Sequence, residues 1–128
     1  MKRTRLNRIS HSSRRKAELE ADQLWSATVL ATTNGKCAKC GRRGAQPAHI
    51  IPRRFKHHRH DPQNGIPLCH RCHQWADNGD PAAFHVWLAQ NYPAKEALYV
   101  MRFKESGPVT ATAIRENICL LKHGNGAK

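Results

Sequence analysis

Apolar residues recur at helical spacing on both sides of a middle stretch that follows a different pattern. From residue 12 to 31, SSRRKAELEADQLWSATVLA, the residues Ala17, Ala21, Leu24, Trp25 and Thr28 fall on one face of a helix that Ser12 or Ser13 can cap. In the middle, Pro47-Ala-His-Ile-Ile51 reads as a short strand stopped by Pro52. Asn64-Gly65 marks a turn, and Ile66-Pro67-Leu68 a second extended segment. HQWADNG predicts a short helix ending near Gly79. Asp80-Pro81 is then a cap and first-turn proline for a helix carrying Phe84, Trp87 and Leu88 up to Pro93. Ala94, Ala97, Leu98 and Met101 continue a second short helix, and Ser106-Gly107-Pro108 breaks it. Thr110 can cap a last helix with Ile114, Ile118 and Leu121 inward, closing near Gly124. The predicted class is α+β. The expected organisation is a basic flexible tail at 1–11, one domain at 12–123 with its centre at 37–79 and helical flanks at 12–31 and 80–123, and a tail at 124–128.

Composition sharpens this. Leu, Ile, Val and Phe number 22 of 128 residues while the net charge is +13, a combination common in chains that stay disordered. Three Trp, two Tyr and five Cys argue instead for a small core completed by a staple. No apolar run approaches the roughly 18 residues of a membrane span. The start, MKRTRLNRISHSSRRK, has no apolar stretch and does not read as a secretory signal. A membrane protein and a secreted disulfide scaffold are both disfavoured, and the cytoplasm is the expected compartment.

The staple is visible in two cysteine pairs, Cys37-x-x-Cys40 and Cys69-x-x-Cys72, separated by 28 residues. Each C-x-x-C turn can aim two thiolates at one ion, and two turns complete a tetrahedral four-sulfur site for structural zinc. Gly41 can supply positive φ after the first pair, and Lys39, Arg42 and Arg71 favour thiolate over thiol. Two disulfides or four free thiols are the alternative, which a reducing compartment disfavours. Cys119, in ENICLLK, reads as a small buried residue, and Trp25, Trp75 and Trp87 as core.

Charge points to a polyanion. No acidic residue precedes Glu18 and none lies between Asp22 and Asp61. The first sixteen residues carry seven Lys or Arg, and residues 36–60 carry eight, with His49, His57, His58 and His60 among them. Such blocks provide affinity for nucleic acid through counterion release, without sequence preference. The basic stretches lack the interleaved apolar face that would bury in a lipid surface. His57, His58 and His60 could be taken for a metal cluster, but their setting, FKHHRHD, is loop-like and rich in positive charge, so they are expected to meet phosphate or water.

Within the 28-residue insert and its flanks, AHIIPR, DPQNGIPLC and CHRCHQWAD resemble the HNH, or ββα-metal, endonucleases. Knuckle, His, Asn, then knuckle plus His occur in the family's order. The resemblance is close over 37–77, and a weaker likeness to phage recombination-associated HNH proteins of the NinG type runs to about residue 105. It implies a small ββα-metal core with two zinc knuckles, flanked by N- and C-terminal helices. It also implies a metal-dependent endonuclease acting on DNA in a bacterial or phage-infected cell. By the resemblance, His49 is the general base that activates water, Asn64 orients the loop bearing it, and His73 is a ligand of the catalytic divalent metal, Mg2+ or another ion such as Mn2+ or Ni2+. On a helix Asp77 lies four residues past His73, within reach of the same ion; the alternative is a helix-end carboxylate facing water. Many relatives carry Asp or His just before the base, where this chain has Ala48. The ion would then keep more water or borrow Asp61, Asn64 or Asp77. Arg53 or Arg54 could contact the scissile phosphate or grip the backbone nearby, with Arg42, Arg43, Lys56 and Arg59 as further nucleic-acid contacts. One such site cuts one strand, so a double-strand break would take a homodimer or two visits. Competing readings are a zinc-dependent DNA-binding module without catalysis and an RNA- or ribosome-binding zinc protein. The trio His49, Asn64 and His73 favours the enzyme, because a bare zinc module has no need of it.

Overall fold

The computed structural model describes residues 5–104 and 109–124, with side chains described for 13–104 and 109–123. The elements are α1 (Arg5–Ala31), β1 (Gln46–His49), β2 (Gly65–Leu68), α2 (His70–Gln74, continued by a π turn over Trp75–Gly79), α3 (Pro81–Asn91), α4 (Pro93–Val100) and α5 (Ala111–Gly124). The class is α+β, as the hydrophobic pattern predicts. The break at Ser106-Gly107-Pro108 and the residues at 1–4 and 125–128 lie outside the described residues.

Helix α1 starts earlier than expected. No Gly or Pro interrupts RLNRISHSSRRK, and the helix runs from Arg5, through part of the stretch read as a tail. Ser13 therefore sits inside the helix, where its Oγ accepts from the Arg115 guanidinium of α5 (2.8 Å) instead of capping. The buried face is Ala17, Ala21, Trp25 and Val29. Thr28 was expected on that face. It is only half-buried and turns its Oγ–H back onto the Leu24 carbonyl (2.8 Å). Ala17 and Ala21 pack with Val109, Ile114 and Ile118, and Trp25 and Val29 with Leu121, so α5 lies along α1. Thr110 caps α5 by accepting from the Ala113 N–H (3.2 Å). Cys119 is exposed, contrary to the expectation of burial: Ile114, Ile118 and Leu121 take the inner face, and residue 119 falls outside it.

The two strands pair antiparallel in the register Gln46↔Leu68, Pro47↔Pro67, Ala48↔Ile66 and His49↔Gly65. Gly65 is extended (φ −143°, ψ 147°), so its value is not a positive-φ turn. A Cβ there would collide with the Val29 side chain and lie 2.8 Å from Trp25 Cζ2. The missing side chain lets α1 press onto β2. A second core, beneath the strands, joins Ala48, Ile50, Ile66, Leu68, Ala76, Phe84 and Leu88 to Cys37, Cys69 and Cys72. Trp75 and Trp87 pack, partly exposed, against its edge, and Trp25 is buried between α1 and β2. Asp80 caps α3 through the Ala83 N–H (3.0 Å). Among the described residues no helix is long and apolar enough to cross a membrane.

Candidate functional site

The four cysteines converge. Gly41 (φ 77°) turns the first knuckle so that the Gly41 N–H reaches the Cys37 carbonyl (2.9 Å), and the Ala38 N–H ties it to the Pro67 carbonyl of β2 (2.8 Å). Cys69 precedes α2 and Cys72 lies in its first turn. All four sulfurs fall within 4.8 Å of one another, with Cys40 Sγ and Cys69 Sγ 3.6 Å apart. A tetrahedron of ~2.3 Å metal–sulfur bonds sets its sulfurs ~3.8 Å apart, so the cluster fits one ion. The donor chemistry agrees. Burial and the three neighbouring sulfurs push the Cys72 thiol up. Burial also opposes the Cys37 thiolate, but N–H groups of the knuckle outweigh it and hold Cys37 at about 6. A shared cation would let all four ionise.

A second centre lies above the strands. The alternation of β1 buries Ala48 in the lower core and turns His49 the other way, onto α1. There the imidazole stacks on Trp25, with ring centroids 3.8 Å apart and planes 8° from parallel. His49 Nε2 lies 2.9 Å from the Arg59 carbonyl. A carbonyl only accepts, so Nε2 carries the proton and the neutral ring keeps Nδ1 as its basic nitrogen. Burial lowers the pKa of His49, and the Arg53 charge adds to this against the Arg59 hydrogen bond and Asp22.

Asn64 ends a short 3-10 turn, Pro62–Asn64, that Asp61 caps by accepting from the Gln63 N–H (2.9 Å). It is fully buried. Its Oδ1 accepts from the Ile51 N–H, and its Nδ2 donates to the carbonyls of Ile51 (3.1 Å) and His58 (3.0 Å). Both donors and one lone pair of its amide go into the loop between the strands, and its full burial keeps it away from the open cleft. His73 Nε2 and Asp77 Oδ2 approach to 3.1 Å across one turn. That is the separation of a hydrogen-bonded pair, with the Asp77 carboxylate 56% accessible, and it is also close to the ~3.0 Å between neighbouring donors on a six-coordinate ion with ~2.1 Å bonds. Ala48 supplies nothing, and Asp61 lines a separate hollow with His57 and His60. The cysteines are the only cluster of three or more potential metal-binding side chains among the described residues.

His49, His73, Asp77 and Arg53 line one cleft of about 540 Å³, together with Asp22 and Trp25 of α1. Residues 37–82 match the family model described as HNH endonuclease. Over that segment the chain is similar to HNH endonuclease domains. Comparison with curated proteins and with solved structures gave no significant match.

Around the matched segment the basic residues divide into two sets. Arg42, Arg43, Arg53, Arg54 and Lys56 are exposed. Arg59 is not: its side chain is 14% accessible and holds Asp22 through Nε (3.0 Å) and Nη2 (2.7 Å), with Glu18 at 3.5 Å. Lys56 also reaches Glu18 (3.8 Å). Part of the basic block is thus neutralised by α1, and Arg59 serves the fold where a phosphate contact was expected. His58 and His60 are corrected in the same way. Both are buried, His58 against the Arg102 carbonyl (3.1 Å) and His60 against Asp22 (2.8 Å), because the loop folds under α1 and not out into solvent. Trp25 and Asp22 were missed as site residues. The available signal was the acidic pair Glu18 and Asp22, one turn apart on α1, opposite an insert without acids from residue 23 to 60.

Proposed function

We propose that the protein is a metal-dependent endonuclease that hydrolyses DNA phosphodiester bonds with little sequence preference, of the phage type that the likeness reaching residue 105 implies. The observation that carries this is the meeting of His49 and His73 at one cleft of a chain whose net charge is +13. His49 is the general base: with Nε2–H held by the Arg59 carbonyl, Nδ1 takes the proton from the attacking water. Asn64 keeps the loop that carries this carbonyl in register. Arg53, 61% accessible and on the cleft, meets the phosphate that is cut. Arg42, Arg43, Arg54 and Lys56 grip neighbouring phosphates. His73 and Asp77 hold the divalent ion, Mg2+, Mn2+ or Ni2+, and zinc fills the four-sulfur site. When bound, the divalent ion supplies positive charge beside the phosphate and the departing 3′ oxygen.

The test is nicking of supercoiled plasmid by zinc-loaded protein in Mg2+, Mn2+ or Ni2+. Nicking should vanish in His49→Ala while zinc content and helicity persist. Wild-type protein that binds DNA without cutting it in any of the three ions would replace the enzyme by a binding module. Equal nicking by the mutant would remove His49 as base.

A further inference from the structure

Helix α1 lies outside the matched segment, yet two of its residues act on His49 from different sides. Trp25 covers one face of the imidazole at stacking distance. The indole is itself fixed: Nε1–H donates to the Asp61 carbonyl (2.9 Å), and the bare Gly65 lets it lie against β2. Three residues earlier, Asp22 takes two hydrogen bonds from the Arg59 guanidinium and one contact from His60. Arg59 is the residue whose carbonyl holds His49 Nε2. Asp22 also stands 3.5 Å from Arg53, which shares the cleft.

We propose that α1 is a working wall of the active site, with Trp25 and Asp22 as positioning residues for His49: Trp25 fixes the plane of the ring, and Asp22, by clamping Arg59, fixes the acceptor that selects the Nε2–H tautomer. This rests on the reading of His49 as the base. Neither residue touches the reacting atoms. Their contribution is orientation, where small misplacements of a catalytic group cost large factors in rate. The Asp22–Arg59 pair is partly buried, so its net contribution to stability is modest, and its direct consequence at the site is to hold the segment that presents the Arg59 carbonyl to His49.

The experiment compares kcat and KM of the full chain, zinc-loaded and in Mn2+, for wild type, Trp25→Phe, Trp25→Leu and Asp22→Asn, each corrected for folded fraction by circular dichroism. Trp25→Leu and Asp22→Asn should lose about 10- to 100-fold in kcat with KM within about threefold. Trp25→Phe keeps a ring over the imidazole without the indole donor and should fall between. A purely structural role would lower the folded fraction and leave corrected kcat unchanged, and that result overturns the proposal. Should Trp25→Leu fail to fold, wild-type kcat in both Trp25→Phe and Asp22→Asn overturns it equally. Nitrogen NMR of the His49 ring gives a readout independent of cleavage. Wild type should show a protonated Nε2 and ring protons shifted upfield by the indole, Asp22→Asn a mixed tautomer, and Trp25→Phe a smaller shift. These signals in a wild type that does not cleave would keep the wall and sink the nuclease reading. Their absence in a wild type that does cleave would sink the wall alone.

Discussion

The side-chain amide of Asn64 closes on both polar groups of Ile51, accepting from its N–H and donating to its carbonyl. One buried residue therefore does for the loop what a neighbouring strand would do for a sheet. The loop between β1 and β2 has no regular pairing of its own, and it carries the Arg59 carbonyl that meets His49.

Asn64→Ala should leave three backbone groups, the Ile51 N–H and the carbonyls of Ile51 and His58, without the partner they have at a fully buried position. Each buried unsatisfied group costs roughly 1–3 kcal/mol, and water entering the small void offsets part, so we expect about 2–4 kcal/mol of destabilisation. Urea unfolding of the zinc-loaded protein measures it. Cleavage at temperatures where the mutant is folded should also fall, because the loop loses its register. A mutant with wild-type stability would show that the loop is held elsewhere.

How much of this was readable from residues alone divides along a physical line. Local pattern was enough for the helices after Gly79, for Thr110 as a cap and for the strand containing His49, because each depends on neighbours within a few positions. The cysteine turns were readable because thiolate pairs at that spacing serve few other purposes. What escaped depended on distant packing. Gly65 looked like a turn glycine, and only the approach of Val29 and Trp25 from α1 reveals why a side chain is excluded. Arg59 and His60 looked like phosphate contacts because their stretch is basic, and only the fold brings Asp22 to them. Cys119 was misread because an apolar neighbourhood in sequence does not say which helical face is inward.

The two kinds of proposed metal ligand should respond differently to mutation. Cys37→Ser or Cys72→Ser should abolish stoichiometric zinc and unfold the knuckles, since structural zinc contributes roughly 10–16 kcal/mol of apparent binding energy in small domains. His73 is half-exposed, and its partner in the structure is Asp77, so His73→Ala should keep zinc and melt within a few degrees of wild type while losing nicking. Metal analysis by mass spectrometry beside thermal melts decides the matter. If both classes of mutant unfold alike, the separation of the sulfur site from the cleft site is mistaken.

Gly65→Ala should be costly although its backbone is extended and tolerates any residue. The added methyl meets Val29 and Trp25, and overpacking of this kind costs typically ~1–3 kcal/mol. Val29→Ala on its own leaves a small cavity. Combined with Gly65→Ala it should restore part of the lost stability, so the double mutant should be more stable than the sum of the single effects by about 1 kcal/mol. Strict additivity in urea melts would mean that α1 shifts freely over β2.

The pH dependence follows from burial. His49 must be neutral to accept a proton, and burial with the Arg53 charge holds its pKa below the ordinary 6.5. Corrected nicking rates should therefore rise with pH along a limb whose midpoint lies below 6.5, and flatten above it. Stability should move the same way. His49 and His60 both have lowered pKa values, His60 mainly through burial against the pull of Asp22. Below about 6.5 the unfolded chain binds protons that the folded chain resists, so their contribution is complete above that value. It drains away as pH falls through the folded-state values. Protonation of the cysteines would also destabilise acid samples by releasing zinc, so the comparison belongs in the pH range where measured zinc content stays constant. Within it, His60→Gln should flatten part of the stability slope and leave the midpoint of the activity limb below 6.5. A midpoint above 6.5 would mean that His49 is stabilised as the cation in the working enzyme, against the burial and the Arg53 charge that lower its pKa in the structure.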